Sequence, residues 1–141
     1  MHRARGFTLI EIMVVVVILA ILGTLVAPQI LGRIDEARVT KARNDLRLYE
    51  SALDLYRMDN FRYPTTDQGL EALVTKPNDP SLKNWRQDGY VKQLVKDPWG
   101  HDYVYLAPGS NATPYDLLSL GADGQPGGQG IDADLSARDP K

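Results

Sequence analysis

Hydrophobic and polar positions along the chain fall into three regimes, and each predicts a different element. From Phe7 to Leu31 apolar residues are nearly continuous, with Glu11 the only charge among them. As a helix, a run of this length reaches about 37 Å, enough for the roughly 30 Å hydrocarbon core of a bilayer. Val14 to Val17 are β-branched, but lipid leaves their backbone no alternative to helix. Pro28 lacks an amide and crowds the carbonyl four residues earlier, which predicts a kink or local melting between Gly23 and Pro28.

From Asp35 to about Asp59 the pattern becomes amphipathic. Val39, Ala42, Leu46, Tyr49, Leu53 and Tyr56 recur at helical spacing, and Leu48, Ala52 and Leu55 widen the stripe. Lys41 with Asp45, and Asp54 with Arg57, stand at the spacing of helix-surface ion pairs. Only the short stretch from Gly32 to Ala37 could separate this helix from the apolar one, so a single helix is predicted from Phe7 to about Asn60. Its stripe has the heptad look of a coiled coil, but the eighty or so residues that follow need an apolar surface to cover.

Beyond Asn60, turn residues dominate. Thr66 or Asp67 is placed to cap a short helix over Gln68 to Val74. Lys76 to Asn84 contains Pro77 and Pro80 and reads as loop, and Asp97-Pro98-Trp99-Gly100 as a turn around a buried aromatic. Tyr103 to Leu106 and Tyr115 to Leu120 alternate faces and are joined by residues 108–114, the pattern of an antiparallel hairpin. After Leu120 five glycines fall within ten positions, which excludes regular structure there. The fold class is therefore α+β, a long N-terminal helix packed on a small antiparallel sheet with a Gly/Asp-rich C-terminal loop.

Composition narrows the function classes. The 141 residues carry 16 basic and 18 acidic side chains, so nothing favours an electrostatic nucleic-acid binder. There is no cysteine, hence no disulfide and no thiol chemistry. His101 is the only histidine outside the first six residues; no nucleophile elbow accompanies it, and no phosphate-binding glycine loop opens a helix. No catalytic residue is assigned, and His101 is placed on a turn without chemistry. Asp123, Asp132 and Asp134 surround a flexible stretch whose free carbonyls and hard carboxylates suit Ca²⁺, although a solvated turn with scattered aspartates reads equally well from composition. The spacing is not that of an EF-hand: counted from Asp132, Ala137 stands where the invariant glycine belongs.

Three interpretations compete for the N-terminus. A secretory signal peptide fits the basic start, but the apolar run is too long and no small-x-small site closes it. A plain single-pass anchor would let Glu11 snorkel to the headgroups. The string Gly6-Phe7-Thr8-Leu9-Ile10-Glu11, preceded by Arg3 and Arg5 and followed by a long apolar helix, resembles instead the prepilin signal of type IV pilin-like proteins. Further along, Asp59-Asn60-Phe61-Arg62-Tyr63-Pro64, Gln68-Gly69-Leu70-Glu71-Ala72-Leu73, Lys96-Asp97-Pro98-Trp99-Gly100 and Ser119-Leu120-Gly121-Ala122-Asp123-Gly124 resemble, in order and over nearly the whole chain, the major pseudopilins of type II secretion systems.

That resemblance implies a domain plan: a leader over 1–6, a transmembrane and polymerisation helix over 7–31, its amphipathic continuation over 32–60, and a periplasmic globular region over 61–141. It implies cleavage between Gly6 and Phe7 by a prepilin peptidase, N-methylation of Phe7, and an assembly role for Glu11. It implies a single-pass subunit of the bacterial inner membrane that forms a helical homo-oligomeric filament with minor pseudopilins and the inner-membrane assembly platform. Such a filament drives folded proteins across the outer membrane. It also implies a bend or unwinding near Pro28 on assembly. Finally it implies a structural Ca²⁺ held by the side chains of Asp123 and Asp132, the carbonyls of Leu120 and Gln129, and Asp134 as a further ligand. Gly130 departs from relatives that carry an acidic or polar ligand there. Two alternatives stand beside it: a type IV pilin for adhesion or motility, disfavoured by the absence of cysteine, and a membrane-anchored calcium-binding or hydrolytic domain working alone.

Overall fold

A computed structural model describes residues 7–139, without the side chains of 25–31. Helix α1 runs Leu9–Asn60, 52 residues. Thr8 starts it: its carbonyl accepts the amides of Glu11 and Ile12 at 3.1 and 3.3 Å. In return Glu11 Oε2 lies 3.4 Å from both the amide and the hydroxyl of Thr8. That is the Glu arm of a capping box, in which the carboxylate three residues on satisfies an orphan amide at a helix start. The helix continues through Gly23 to Pro28 without interruption, so the local melting expected from the proline is not found. Pro28 costs one intrahelical bond, and its neighbours have no better acceptors than the helix. At the other end Phe61 takes a left-handed φ of 63° and its amide caps the Arg57 carbonyl at 2.7 Å.

The chain divides into two compact units, one up to Ala37 and one from Arg38 onward. The first consists of the N-terminal part of α1, on which every large apolar side chain from Leu9 to Leu22 is half exposed or more. Among the described residues no helix is long and apolar enough to cross a membrane; the apolar side chains described without a break end at Thr24, short of the roughly 20 residues a span needs.

In the second unit the buried face of α1 matches the helical spacing: Ala42, Leu46, Tyr49, Leu53 and Tyr56 are buried and Val39 packs at their edge. Of the residues expected to widen that face only Ala52 is buried, while Leu48 and Leu55 are exposed. The small domain covers one side of the helix and cannot reach around it. Lys41 reaches Asp45. Asp54 and Arg57 share the Tyr63 hydroxyl instead of pairing directly, Tyr63 donating to Asp54 at 2.9 Å and accepting from Arg57 at 3.4 Å.

Tyrosine accounts for much of the core, and the hydroxyls of Tyr49, Tyr103 and Tyr105 each tie a different segment down, while that of Tyr56 is buried without a partner among the described residues. Tyr49 Oη accepts the Val95 amide at 2.8 Å, Tyr103 donates to Asp45 at 2.9 Å, and Tyr105 donates to the Pro64 carbonyl at 2.8 Å. An aromatic body supplies buried area while the phenol finds a partner, which suits a domain with few residues to devote to apolar mass. Burial pushes the phenols of Tyr103, Tyr105 and Tyr115 well above the usual tyrosine range, the Asp45 carboxylate adding to the effect at Tyr103.

The hairpin forms as predicted. Strands β1 (Val104–Leu106) and β2 (Asp116–Ser119) pair antiparallel with Tyr105 opposite Leu117. A third strand not foreseen from the sequence, β3 (Leu135–Ser136), adds to β2 with Ser119 opposite Leu135, giving the order β1-β2-β3. Two residues carry too little alternation to announce a strand. The short helix near Gln68 is a 3-10 turn, Leu70–Leu73, after a left-handed Gly69, with no side-chain cap. Thr65 and Gln68 form a reciprocal box ahead of it, at 3.0 and 3.2 Å. Thr66 turns away to bond both backbone groups of Ala107, and neither it nor Asp67 is the cap.

Candidate functional site

Two places carry the chemistry singled out in the sequence, and each lies within one compact unit. In the first unit Phe7 is exposed ahead of α1, and Glu11 stands one turn into a helix of exposed apolar side chains. Gly6, Arg3 and Arg5 lie outside the described residues. The Thr8–Glu11 contact shows what the lone carboxylate does within its own chain: it closes the helix start, where negative charge also complements the helix dipole. The Thr-x-x-Glu spacing is legible in the sequence, although the charge alone among apolar residues points first to a membrane or assembly role.

In the second unit, residues 119–134 leave the end of β2 and return to β3 as a closed loop. Ala122 N donates to Ile131 O at 2.9 Å, Asp132 N to Gln129 O at 3.2 Å, and Asp134 N to Gly127 O at 3.1 Å. Gly130–Asp132 forms one 3-10 turn, a small piece of regular structure that the glycine density had excluded. Two glycines are fixed by the closure itself. A Cβ on Gly128 would stand 2.3 Å from the Asp132 carbonyl oxygen, and one on Gly121 would stand 2.7 Å from the same atom; both residues also have positive φ.

The predicted ligands are distributed unevenly over this loop. Asp123 Oδ1 accepts the Gln125 amide at 3.0 Å, and Asp134 Oδ2 accepts the Gly127 amide at 2.9 Å. Asp134 Oδ1 is buried with no hydrogen-bond donor among the described residues. The Gln129 carbonyl already accepts from Asp132, and the Leu120 carbonyl lies at the point where β2 ends. Among the described residues no three His, Cys, Asp or Glu side chains converge closely enough to hold a metal by themselves. The donor set nevertheless fits a hard cation: a buried carboxylate oxygen without a donor, further carboxylates on the same loop, and backbone carbonyls, which Ca²⁺ accepts as readily as side chains.

The turn ahead of the hairpin differs from its prediction in an informative way. Its buried residue is Asp97, whose side chain is wholly inaccessible, while Trp99 is only partly buried. Asp97 Oδ1 accepts the amides of Trp99 at 3.1 Å and His101 at 2.8 Å, and Oδ2 accepts the hydroxyl of buried Ser119 at 2.7 Å. An Asp at the first position of a turn that bonds the amide two residues on is the usual Asx-turn signal. That signal gives the turn but not the burial, which arises from β2 crossing it.

Comparison with known proteins fits this geometry. Residues 29–138 match the family described as Type II secretion system (T2SS), protein G, and residues 1–27 match the prokaryotic N-terminal methylation motif. The chain is 59% identical over 135 residues to the type II secretion system core protein G of Pseudomonas aeruginosa, covering 95% of this chain and 94% of that one. It is 56% identical to the protein of the same name from Vibrio cholerae, covering 96% and 92%. Among solved structures it resembles the major pseudopilin from the type 2 secretion system of enterohaemorrhagic Escherichia coli, with a TM-score of 0.64 and 48% identity over 75% of this chain and 90% of that one.

Proposed function

The chain belongs to the protein G family of type II secretion systems, the major pseudopilins, and on that footing we propose how its two sites serve a filament. The observation that carries the reading is the stretch of α1 from Leu9 to Leu22, whose large apolar side chains are all exposed and whose single charge is Glu11. Such a surface is stable in water only when covered, by lipid before assembly and by other copies afterwards. The subunit is held in the inner membrane by residues 7–31 with residues 61–141 in the periplasm, and it enters the filament by sliding this helix among its neighbours.

Cleavage after Gly6 frees the amine of Phe7, which is then methylated. Gly6 has no Cβ and fits a tight protease subsite. Inside a low-dielectric filament core that positive amine and the Glu11 carboxylate each need an opposite charge. Glu11 supplies it to the Phe7 amine of an adjoining copy and so fixes axial register. Glu11→Gln keeps the size and an acceptor but removes the charge; it should leave processing and membrane insertion intact and abolish both filaments and secretion. Normal filaments from the Gln variant would sink this role. Mass spectrometry of the mature chain should find an N-terminal methyl-Phe; an intact Met1 or a cut near Ala27 would refute the processing step.

For the loop, the proposal is a structural Ca²⁺ held by Asp123, Asp132 and Asp134 with the carbonyls of Leu120 and Gln129. When bound, the ion supplies the cross-link that a disulfide provides in other exported domains. The chain's own residues do the rest: Asp134 offers an oxygen that has no other partner, and Gly121 and Gly128 let the Asp132 backbone close over them. The dissociation constant should fall in the range of extracellular calcium modules, roughly 10⁻⁴–10⁻³ M. Binding to the folded form alone raises stability by mass action, so chelator should lower the melting temperature of the full chain in detergent micelles. Identical melting curves with and without chelator would leave the loop as a plain turn.

A further inference from the structure

The loop after β2 contributes little apolar mass, yet its first half is held from outside by a turn about twenty residues earlier in the chain. Asp97 is buried, and a buried carboxylate is costly unless its oxygens are satisfied. Here they are: two amides of its own turn occupy Oδ1 and the Ser119 hydroxyl occupies Oδ2. His101, fixed through its own amide, presents its ring to the loop. Nδ1 lies 3.2 Å from the Gly121 carbonyl oxygen, which can only accept, so Nδ1 carries the hydrogen. The same ring covers Gly124, where a Cβ would come within 2.9 Å of Nε2.

These contacts are placed in an orderly way along the sequence. Ser119 and Gly121 flank Leu120, and Gly124 follows Asp123. We propose that the Asp97–His101 turn is a template that sets the loop in its closed shape before any cation arrives, with Asp97 and His101 as the positioning residues for the Leu120 carbonyl and the Asp123 carboxylate. The consequence for cation affinity rests on the calcium reading above, whereas the consequence for the loop's shape does not. A loop ordered in advance loses less conformational freedom on binding, which is how a small oxygen site gains affinity without further ligands.

The test uses the full chain in detergent micelles and follows amide hydrogen exchange in chelator, where no cation contributes. The reporters are Ala122, Asp132 and Asp134, whose amides close the loop. His101→Ala is made at a partly exposed ring and does not threaten the core. The loss of one such contact corresponds to about tenfold faster exchange at the three reporters. Exchange in the C-terminal part of α1, at buried Leu53, should stay unchanged. His101→Asn, which retains a donor near Nδ1, should restore most of the protection, and Ser119→Ala should act like His101→Ala. Calcium affinity should weaken by about the same factor, because the ordering is then left to the ion. Wild-type rates at the three reporters in both His101→Ala and Ser119→Ala would overturn the template, and so would a uniform acceleration that includes Leu53. If the wild type ignores calcium while the reporters respond, the template stands and the calcium reading falls. If the wild type binds calcium and the reporters are silent, the template alone falls.

Discussion

The tyrosine-lined core and the Gly/Asp loop belong to the same compact unit but are held by opposite means. The core excludes water with Leu46, Leu53, Leu73 and a set of aromatic rings, and uses hydroxyls to pin loops to α1 and to β1. The loop from Ser119 to Asp134 has Ile131 as its one large aliphatic side chain after Leu120, and that residue is exposed. It is closed by backbone bonds, by glycines that permit close approach, and by a buried Asp97 reached from outside. Area burial tolerates small errors in geometry, whereas a hydrogen-bonded loop fails when one atom is in the way. The two regions should therefore respond to different perturbations.

The largest separation is expected from alkali. The phenols of Tyr103, Tyr105 and Tyr115 are raised chiefly by burial, so the folded state resists ionisation more than the unfolded chain does. A raised pKa contributes stability that is complete below the unfolded value, roughly pH 10, and is lost as pH rises beyond it. Tyrosinate absorbance should appear together with loss of the near-ultraviolet dichroism, in one cooperative step well above that pH. Gradual ionisation of these tyrosines in a chain that keeps its dichroism would show that the core does not depend on their neutral form.

Next comes Leu46→Ala, which removes a fully buried side chain from the face of α1 that meets the sheet. It should cost about 2–5 kcal/mol in denaturant unfolding, and the same amount in calcium and in chelator. Gly128→Ala acts in the other region. Its methyl would meet the Asp132 carbonyl and its φ of 83° disfavours a side chain, so a cost of about 1–3 kcal/mol is expected. Unlike Leu46→Ala, it should shrink any gap between the calcium and chelator melting curves. An unchanged gap would separate closure of the loop from cation binding. The smallest effect is expected from Leu48→Ala, two residues from Leu46 but exposed on α1: within about 0.5 kcal/mol in the isolated chain. A loss comparable with that of Leu46→Ala would mean that the exposed face of α1 is covered in solution.

The long helix, its buried face, the hairpin and the family could all be read along the chain, because each is written in local periodicity or in motifs that keep their order. Ala42, Leu46, Tyr49, Leu53 and Tyr56 repeat at a period that only a helix turns to one side. The contact between Thr8 and Glu11 is equally local, carried by the Thr-x-x-Glu spacing. Packing settled the rest. That Leu48 and Leu55 stay exposed follows from how far the small domain reaches around α1, which no spacing encodes. Strand β3 is too short to have a pattern and exists because β2 offers an edge beside it. Asp97 looks like any turn aspartate until β2 brings Ser119 against it, and His101 has no partner in sequence until the loop passes beneath its ring. Periodicity reports which side of an element meets the core, but which distant backbone atom meets a given polar side chain is settled only when the elements have packed.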